Sequence, residues 1–211
     1  MRSGCRVKVI PPTRREGDGV YLMVRVLVVD TETTGLPRRN GSRVVRWPRL
    51  VEAAWLLLDE TGDVLVEEAH LVRPEGFTVP RRATEVHAIS DALAREEGEA
   101  VADVLAMFMR AVDAAGLVVG HNITFDLGVI RSELARAGME DRSRTLPACC
   151  TMKNSARLIG ARGPRGYRWP TLTELHVRLF TEPHVGRHRA LGDARACARC
   201  YLAMRRMGLA P

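Results

Sequence analysis

The sequence lacks the features of membrane, secreted and disulfide-stabilised proteins. No apolar run approaches the roughly 20 residues that a transmembrane helix needs. The first 21 residues are polar and basic, and they contain no apolar segment of the kind found in signal peptides. The 211 residues include five cysteines, an odd number. We therefore expect a cytoplasmic protein with reduced thiols, no membrane association and no secretory signal.

Lysine is nearly absent, so the positive charge comes almost entirely from arginine. Thirty of the 32 basic residues are arginine, and the net charge is +7. Such a surplus favours a polyanionic partner such as nucleic acid, although a coding bias toward arginine produces the same composition. With 46% apolar residues, the length suits one globular domain. We expect this domain to span 24–211, after a disordered arm at 1–23.

Val24–Leu36 is the segment around which the chain is organised. Val26–Val29 form a short, mostly β-branched apolar run, which is typical of a strand covered on both faces. Asp30 and Glu32 follow at its end, and residues two apart on a strand point to the same side. Burying two close carboxylates without a counter-charge is costly, so a hard divalent cation is their natural partner. Two solvated acids at a strand end are the alternative.

Two later acids stand where apolar residues are expected. Asp126 begins the apolar stripe of a helix predicted over about 125–137, and Asp193 begins the stripe of a last helix over about 190–207. Taken singly, each is also explained by the favourable contact of an acid with a helix N-terminus. Four inward-facing acids together need cations, and ligation by oxygen alone selects Mg²⁺ or Mn²⁺ over zinc. Two such ions about 4 Å apart promote displacement at phosphorus.

His188 is the candidate general base. It lies five residues before Asp193, so we expect it on the loop that enters the last helix. From such a loop the imidazole reaches over a metal site toward water, and its ordinary pKa suits removal of a proton near neutral pH. His184 is close in sequence but stands at a different offset from Asp193. A surface histidine between two arginines is the alternative for His188.

The remaining pattern predicts a mixed sheet with helices on its faces. The first strand is expected at its centre, beside a short buried strand at Leu117–Gly120. Thr171 and Glu174 form a capping-box pattern at the start of a short helix. The other predicted elements are strands at Leu50–Asp59, Val64–Val72 and Leu146–Thr151 and a helix at Glu99–Ala114.

Three motifs in this order resemble those of the DEDDh (DnaQ-like) 3′–5′ exonucleases. They are VVDTETTGL at 28–36, GHNITFD at 120–126 and HRALGD at 188–193. The resemblance extends over Val24–Met207, and VHAIS at 86–90 supports it. Ala88 is a departure, because relatives more often have glycine after the histidine.

This resemblance implies an α/β, RNase H-like fold with a five-stranded mixed sheet flanked by helices. It assigns four metal ligands for two divalent cations, Asp30, Glu32, Asp126 and Asp193, and it assigns His188 as the general base. It also implies a set of substrate-binding residues. Asn122 would lie near the substrate backbone, and Thr33, Gly35 and Leu36 would receive the 3′-terminal nucleotide, with His87 and Ile89 opposite.

Two loops combine arginines with aromatic residues, a mixture that suits phosphate contact and base stacking. The first contains Arg38, Arg39 and Trp47, which we include among the substrate-binding candidates. The second, at about 157–169, contains Tyr167 and Trp169, although Trp169 is more simply explained as a cap on the core. A zinc site built from the cysteines at 149, 150, 197 and 200 is discounted, because these residues fit a buried stripe.

The function predicted is a metal-dependent 3′–5′ exonuclease that acts on single-stranded 3′ ends and releases nucleoside 5′-monophosphates. DNA is favoured over RNA, with repair, end processing or proofreading as the setting. The choice between DNA and RNA depends on contact with the ribose 2′-hydroxyl. The alternatives are an exoribonuclease with the same chemistry, and a proofreading or binding subunit that associates with a DNA polymerase.

Overall fold

The computed structural model describes residues 24–39, 45–164 and 166–211. The arm expected at 1–23 lies outside the described residues. The strands are β1 Val26–Thr33, β2 Arg38–Arg39, β3 Val45–Arg46, β4 Leu50–Leu58, β5 Val64–Leu71, β6 Leu117–Gly120, β7 Ala148–Cys150, β8 Arg162–Gly163 and β9 Gly166–Tyr167. The helices are α1 Arg81–His87, α2 Asp91–Glu97, α3 Val101–Asp113, α4 Ile123–Ala137, α5 Thr151–Asn154, α6 Ala156–Ile159, α7 Leu172–Phe180 and α8 Ala190–Arg206, with a 3₁₀ turn at Arg142–Thr145.

The main sheet has five strands in the order β5-β4-β1-β6-β7. β4 pairs antiparallel with both β1 and β5, whereas β6 is parallel to β1 and β7 is parallel to β6. The mixed sheet with its first strand at the centre, beside Leu117–Gly120, is therefore confirmed. Because β1, β6 and β7 run in the same direction, their carboxyl ends meet at one edge of the sheet.

Alternate residues of β1 face two different helical layers. Leu27 and Val29 pack in a cluster with α3 and α4, whereas Val26 and Val28 pack in a second cluster with α7 and α8. All four side chains are at most 2% exposed. The strand is thus covered on both faces, as its uninterrupted apolar run predicts. Helices on the two sides of the sheet can then bring side chains to the same strand end.

Two short helices, α1 and α2, lie within 81–97, where the sequence pattern predicts no helix. Each helix has seven residues, which is too short for an apolar periodicity to be recognised in the sequence. Ser90 caps the start of α2, and its side chain accepts a hydrogen bond from the Leu93 N–H. The expected capping box at Thr171 and Glu174 is present at the start of α7. Among the described residues, none of these helices combines the length and apolarity required to cross a membrane.

Candidate active site

Three carboxylates converge where β1 ends. Asp30 and Glu32 lie on the face of β1 that α8 covers, and Asp193 belongs to the first turn of α8. One oxygen from each of the three groups lies within 4.8 Å of the others. All three side chains are partly exposed, so the cluster is open to solvent. The strand alternation that marks Asp30 and Glu32 and the helical stripe that marks Asp193 are separate features of the sequence. The structure brings these three acids together at one site.

Asp126 approaches the same strand from the opposite layer. It lies in the first turn of α4 and is only 3% exposed. The Thr31 hydroxyl donates a hydrogen bond of 2.8 Å to Asp126 Oδ1. Since Thr31 lies between Asp30 and Glu32 on the other face of β1, this bond holds Asp126 next to the cluster. The four predicted ligands thus lie around the end of one strand.

The electrostatics of this cluster call for a cation. Burial, followed by repulsion from neighbouring carboxylates, raises the pKa of Asp30 well above its usual range and that of Glu32 from 4.5 to about 8. Burial likewise raises the pKa of Asp126. A divalent cation would stabilise the ionised forms, and the oxygen-only donor set suits such an ion. The residues present therefore fit a divalent metal.

A fifth carboxylate, Glu52, was missed by the sequence reasoning. It lies directly opposite Glu32 in the β1–β4 pairing and is 2% exposed. Its oxygens accept a bond of 2.6 Å from Arg189 Nη2 and one of 2.9 Å from the Ala190 N–H. These contacts join β4 to the first residue of α8, between His188 and Asp193. The available signal was a single acid within the otherwise apolar run of Leu50–Leu58.

His184 and His188 both contact Asp193, but in different ways. His184 is buried, and its Nε2 lies 2.6 Å from Asp193 Oδ1. His188 is exposed, has φ of 61° and donates its backbone N–H to Asp193 Oδ2 at 3.2 Å. His188 therefore lies on the loop entering α8, where it was expected. No local pattern marks His184, because its contact depends on the path of the 181–189 loop.

The residues expected around a terminal nucleotide have mixed environments. Leu36 is 77% exposed, and Gly35, with φ of 144°, has open space where a Cβ would lie. Thr33 is buried, and its hydroxyl bonds to the Gly35 carbonyl at 2.8 Å. His87 is buried, and its Nδ1 accepts the Ile89 N–H at 3.1 Å. Ile89 is fully buried in a separate small cluster with α1 and α2.

The other substrate-binding candidates are Asn122, Arg38, Arg39 and Trp47. Asn122 is exposed and has φ of 75° at the start of α4. Arg38 is exposed, and Arg39 pairs with Val45 through its backbone. Trp47 is half-buried against α4, where a Cβ on Gly128 would come within 2.1 Å of the indole. A base-stacking role for Trp47 stays a prediction, beside the packing role that the structure shows.

Four cysteines and Trp169 were expected to pack in the core. Cys149, Cys150, Cys197 and Cys200 are free and buried. Burial raises the pKa of Cys149 to about 11 and that of Cys200 to about 12, which favours neutral, packed thiols. The expectation that Trp169 caps the core is wrong, because its side chain is 57% exposed.

The central strand, its two helical layers and the carboxylates at its end define an RNase H-like fold with a candidate divalent-metal site. The chain belongs to the RNase_T exonuclease family, whose model matches residues 27–201. This match confirms the family that the three motifs predict. The predicted RNase H-like, five-stranded architecture is likewise confirmed.

Two curated relatives share most of this chain. The DNA polymerase III subunit epsilon-like protein of Rhodobacter capsulatus is 32% identical over 180 residues, which are 84% of this chain and 23% of that protein. The 3′-5′ exonuclease DinG of Bacillus subtilis is 29% identical over 182 residues, which are 84% of this chain and 17% of that protein. The chain thus spans less than a quarter of either relative.

Among solved structures, E. coli exonuclease I in complex with a dA16 oligonucleotide has a similar fold. The TM-score is 0.67 at 16% identity, and the alignment covers 87% of this chain and 41% of that one. At this identity the likeness concerns the fold alone. Catalytic roles for individual side chains are therefore inferred from the geometry of this site and not from that structure.

Proposed function

We propose that residues 24–211 form a 3′–5′ exonuclease domain that releases nucleoside 5′-monophosphates from single-stranded ends. The observation that carries the proposal is the approach of Asp30, Glu32 and Asp193 to within 4.8 Å of one another, with Asp126 beside them. A cluster of this composition has no use in packing, since burial and repulsion from neighbouring carboxylates raise the pKa values of Asp30 and Glu32. It has a direct use in binding cations for phosphodiester hydrolysis.

Two Mg²⁺ or Mn²⁺ ions are the proposed cofactors. Asp30, Glu32, Asp126 and Asp193 would hold them through carboxylate oxygens, either directly or through water. When bound, such ions increase the acidity of water and neutralise charge that develops on a phosphate. The open face of the cluster leaves room for substrate, because Asp30, Glu32 and Asp193 are only partly buried.

The protein's own side chains would position the strand and move the proton. The exposed Leu36 and the open space at Gly35 offer a contact for the terminal base and sugar. His188 would accept the proton of the attacking water, since its loop is held next to Asp193 by a backbone hydrogen bond. Glu52 and Arg189 would fix this loop by joining the start of α8 to β4.

DNA is the proposed substrate class, with RNA as the alternative. Support comes from the relative named as a DNA polymerase III subunit epsilon-like protein and from the exonuclease I complex with an oligodeoxynucleotide. The name of the epsilon-like relative also supports association with a DNA polymerase as a second setting. We also propose a cytoplasmic location, which the four free cysteines at 149, 150, 197 and 200 support.

The decisive experiment compares 5′-labelled single-stranded DNA and RNA of one sequence, in Mg²⁺, in Mn²⁺ and in EDTA. We expect a ladder that shortens from the 3′ end in either metal and disappears in EDTA. Asp30→Asn should abolish the ladder with the fold retained, whereas Asp103→Asn, at an exposed acid on α3, should keep it. Degradation that persists in EDTA or in Asp30→Asn would overturn the proposal.

A further inference from the structure

Two exposed aromatic rings and two cations form a surface outside the carboxylate site. Trp169 is 57% exposed and Tyr167 is 42% exposed. Lys153 Nζ lies 5.8 Å from the Trp169 ring centroid, and the Arg162 guanidinium carbon lies 5.3 Å from that of Tyr167. We call these four residues the aromatic–cationic surface. Rings exposed beside cations offer stacking faces and positive charge on one surface.

This surface lies at the same edge of the sheet as the carboxylates. Lys153 belongs to α5, which directly follows β7. Trp169 precedes Pro170, whose carbonyl accepts a 3.0 Å hydrogen bond from His121 Nε2 at the end of β6. Since β7 is two strands from β1, the ends of these two strands lie roughly 10 Å apart. A strand whose 3′ end occupies the carboxylate site can therefore extend across it.

The backbone at Trp169 is held in place by its neighbours. Arg168 forms two hydrogen bonds with Glu174, of 2.6 and 3.0 Å, and it donates a third, of 3.3 Å, to the Trp169 carbonyl. Arg168 also lowers the pKa of Glu174 to about 2, so this pair stays ionised at neutral pH. Glu174 in turn closes the capping box with Thr171. The backbone at Trp169 is thus held by Arg168, whose guanidinium is occupied in these hydrogen bonds.

The positive charge and the aromatic rings of this surface indicate which ligand it binds. Residues 151–169 contain one lysine and four arginines and no acid. Cations that contact phosphates, combined with aromatic rings that stack on bases, are the means by which proteins bind single strands without sequence preference. An acidic peptide would match the charge but would leave the rings without stacking partners.

We propose that the aromatic–cationic surface binds the nucleotides of a single strand that lie upstream of its 3′-terminal residue. The inference rests on the proposed function, because the carboxylates define where the 3′ end lies. It adds a substrate contact that acts only on strands long enough to reach it. It therefore predicts a difference between short and long substrates.

Tryptophan fluorescence tests the contact directly. Of the three tryptophans, Trp55 is fully buried, Trp47 is half-buried and Trp169 is exposed. An oligodeoxythymidylate of about 12 nucleotides, a length within the range covered by single-strand binding sites, should quench the emission in EDTA. Trp169→Phe should reduce the quench and keep the affinity, because phenylalanine also stacks. Trp169→Ala should reduce the quench as much and weaken binding by roughly 5- to 100-fold.

Substrate length separates this inference from the proposed function. Trp169→Ala should raise KM for the long strand and leave hydrolysis of a dinucleotide unchanged. Lys153→Ala should make the salt dependence of binding shallower by about 0.7 in log–log slope. Met207→Ala, which removes an exposed apolar side chain at the far end of α8, is the matched control and should change none of these.

The outcomes are distinguishable. An undiminished quench and affinity in Trp169→Ala would overturn the inference, as would an equal loss of activity on dinucleotide and long strand. If the wild type hydrolyses neither substrate, the proposed function fails. The fluorescence titration then still decides whether this surface binds a single strand.

Discussion

The raised pKa of Glu32 makes the stability of the metal-free protein depend on pH. Its pKa rises from 4.5 to about 8 on folding, mainly through burial and then through repulsion from Asp193 and Glu52. Between these two values the folded state holds a proton that the unfolded state has released. The free energy of unfolding therefore falls as pH increases, with the full contribution present below the unfolded pKa and lost as pH passes through the folded one.

The expected size follows from linkage. For Glu32 alone, the free energy of unfolding should fall by roughly 3 kcal/mol from about pH 5 to about pH 8. In a chain of this length such a change lowers the melting temperature by roughly 6–12 °C. Asp30 and Asp126 have pKa values raised in the same direction, so they add to the effect. The three groups interact, so their contributions are not a simple sum.

Thermal unfolding of wild type and Glu32→Gln in EDTA measures this dependence. His87 and His121 have pKa values lowered mainly by burial, and they make stability rise with pH. Taking the difference between the two proteins removes that opposing trend. We expect the wild type to lose stability relative to Glu32→Gln as pH rises. Saturating Mn²⁺ should cancel the loss, because a bound cation favours the ionised carboxylates.

Parallel profiles of stability against pH for the two proteins in EDTA would refute this prediction. Parallel profiles would mean that Glu32 titrates near its ordinary pKa in the fold, so that the cluster carries no unbalanced repulsion. The carboxylate cluster would then have no electrostatic need for a cation.

Three further predictions concern the surroundings of the site. His188→Ala should slow hydrolysis by roughly 10²–10⁴-fold and leave Mn²⁺ binding, measured by calorimetry, unchanged; near wild-type turnover would exclude it as the base. Arg189→Met should destabilise by about 1–3 kcal/mol by leaving Glu52 buried without its partner. Adding Glu52→Gln should restore part of that loss in a chemical denaturation experiment, and additive losses would contradict the pairing. Gly128→Ala should lower the melting temperature, because the new Cβ meets the indole of Trp47; a smaller loss in a Trp47→Leu background would confirm the clash.

Periodicity accounts for the parts of the site that the sequence predicts. Asp30 and Glu32 share a face because strand residues alternate, and Asp126 and Asp193 face inward because they continue helical apolar stripes. These are local relations within one element, so they can be read without knowing the fold. The central position of β1 follows from an apolar run that needs cover on both sides.

The sequence by itself thus determined the family, the order of the main elements and the face of the strand or helix on which each of the four carboxylates lies. All of these depend on local patterns. Only the tertiary structure decided which distant groups meet them. Glu52 and Arg189 are 137 residues apart, yet they pair at 2.6 Å. His184 reaches Asp193 through the path of a loop, and Arg168 bonds to Glu174 and to the carbonyl of the exposed Trp169. Contacts between separate elements depend on how those elements pack, and local periodicity carries no information about that packing.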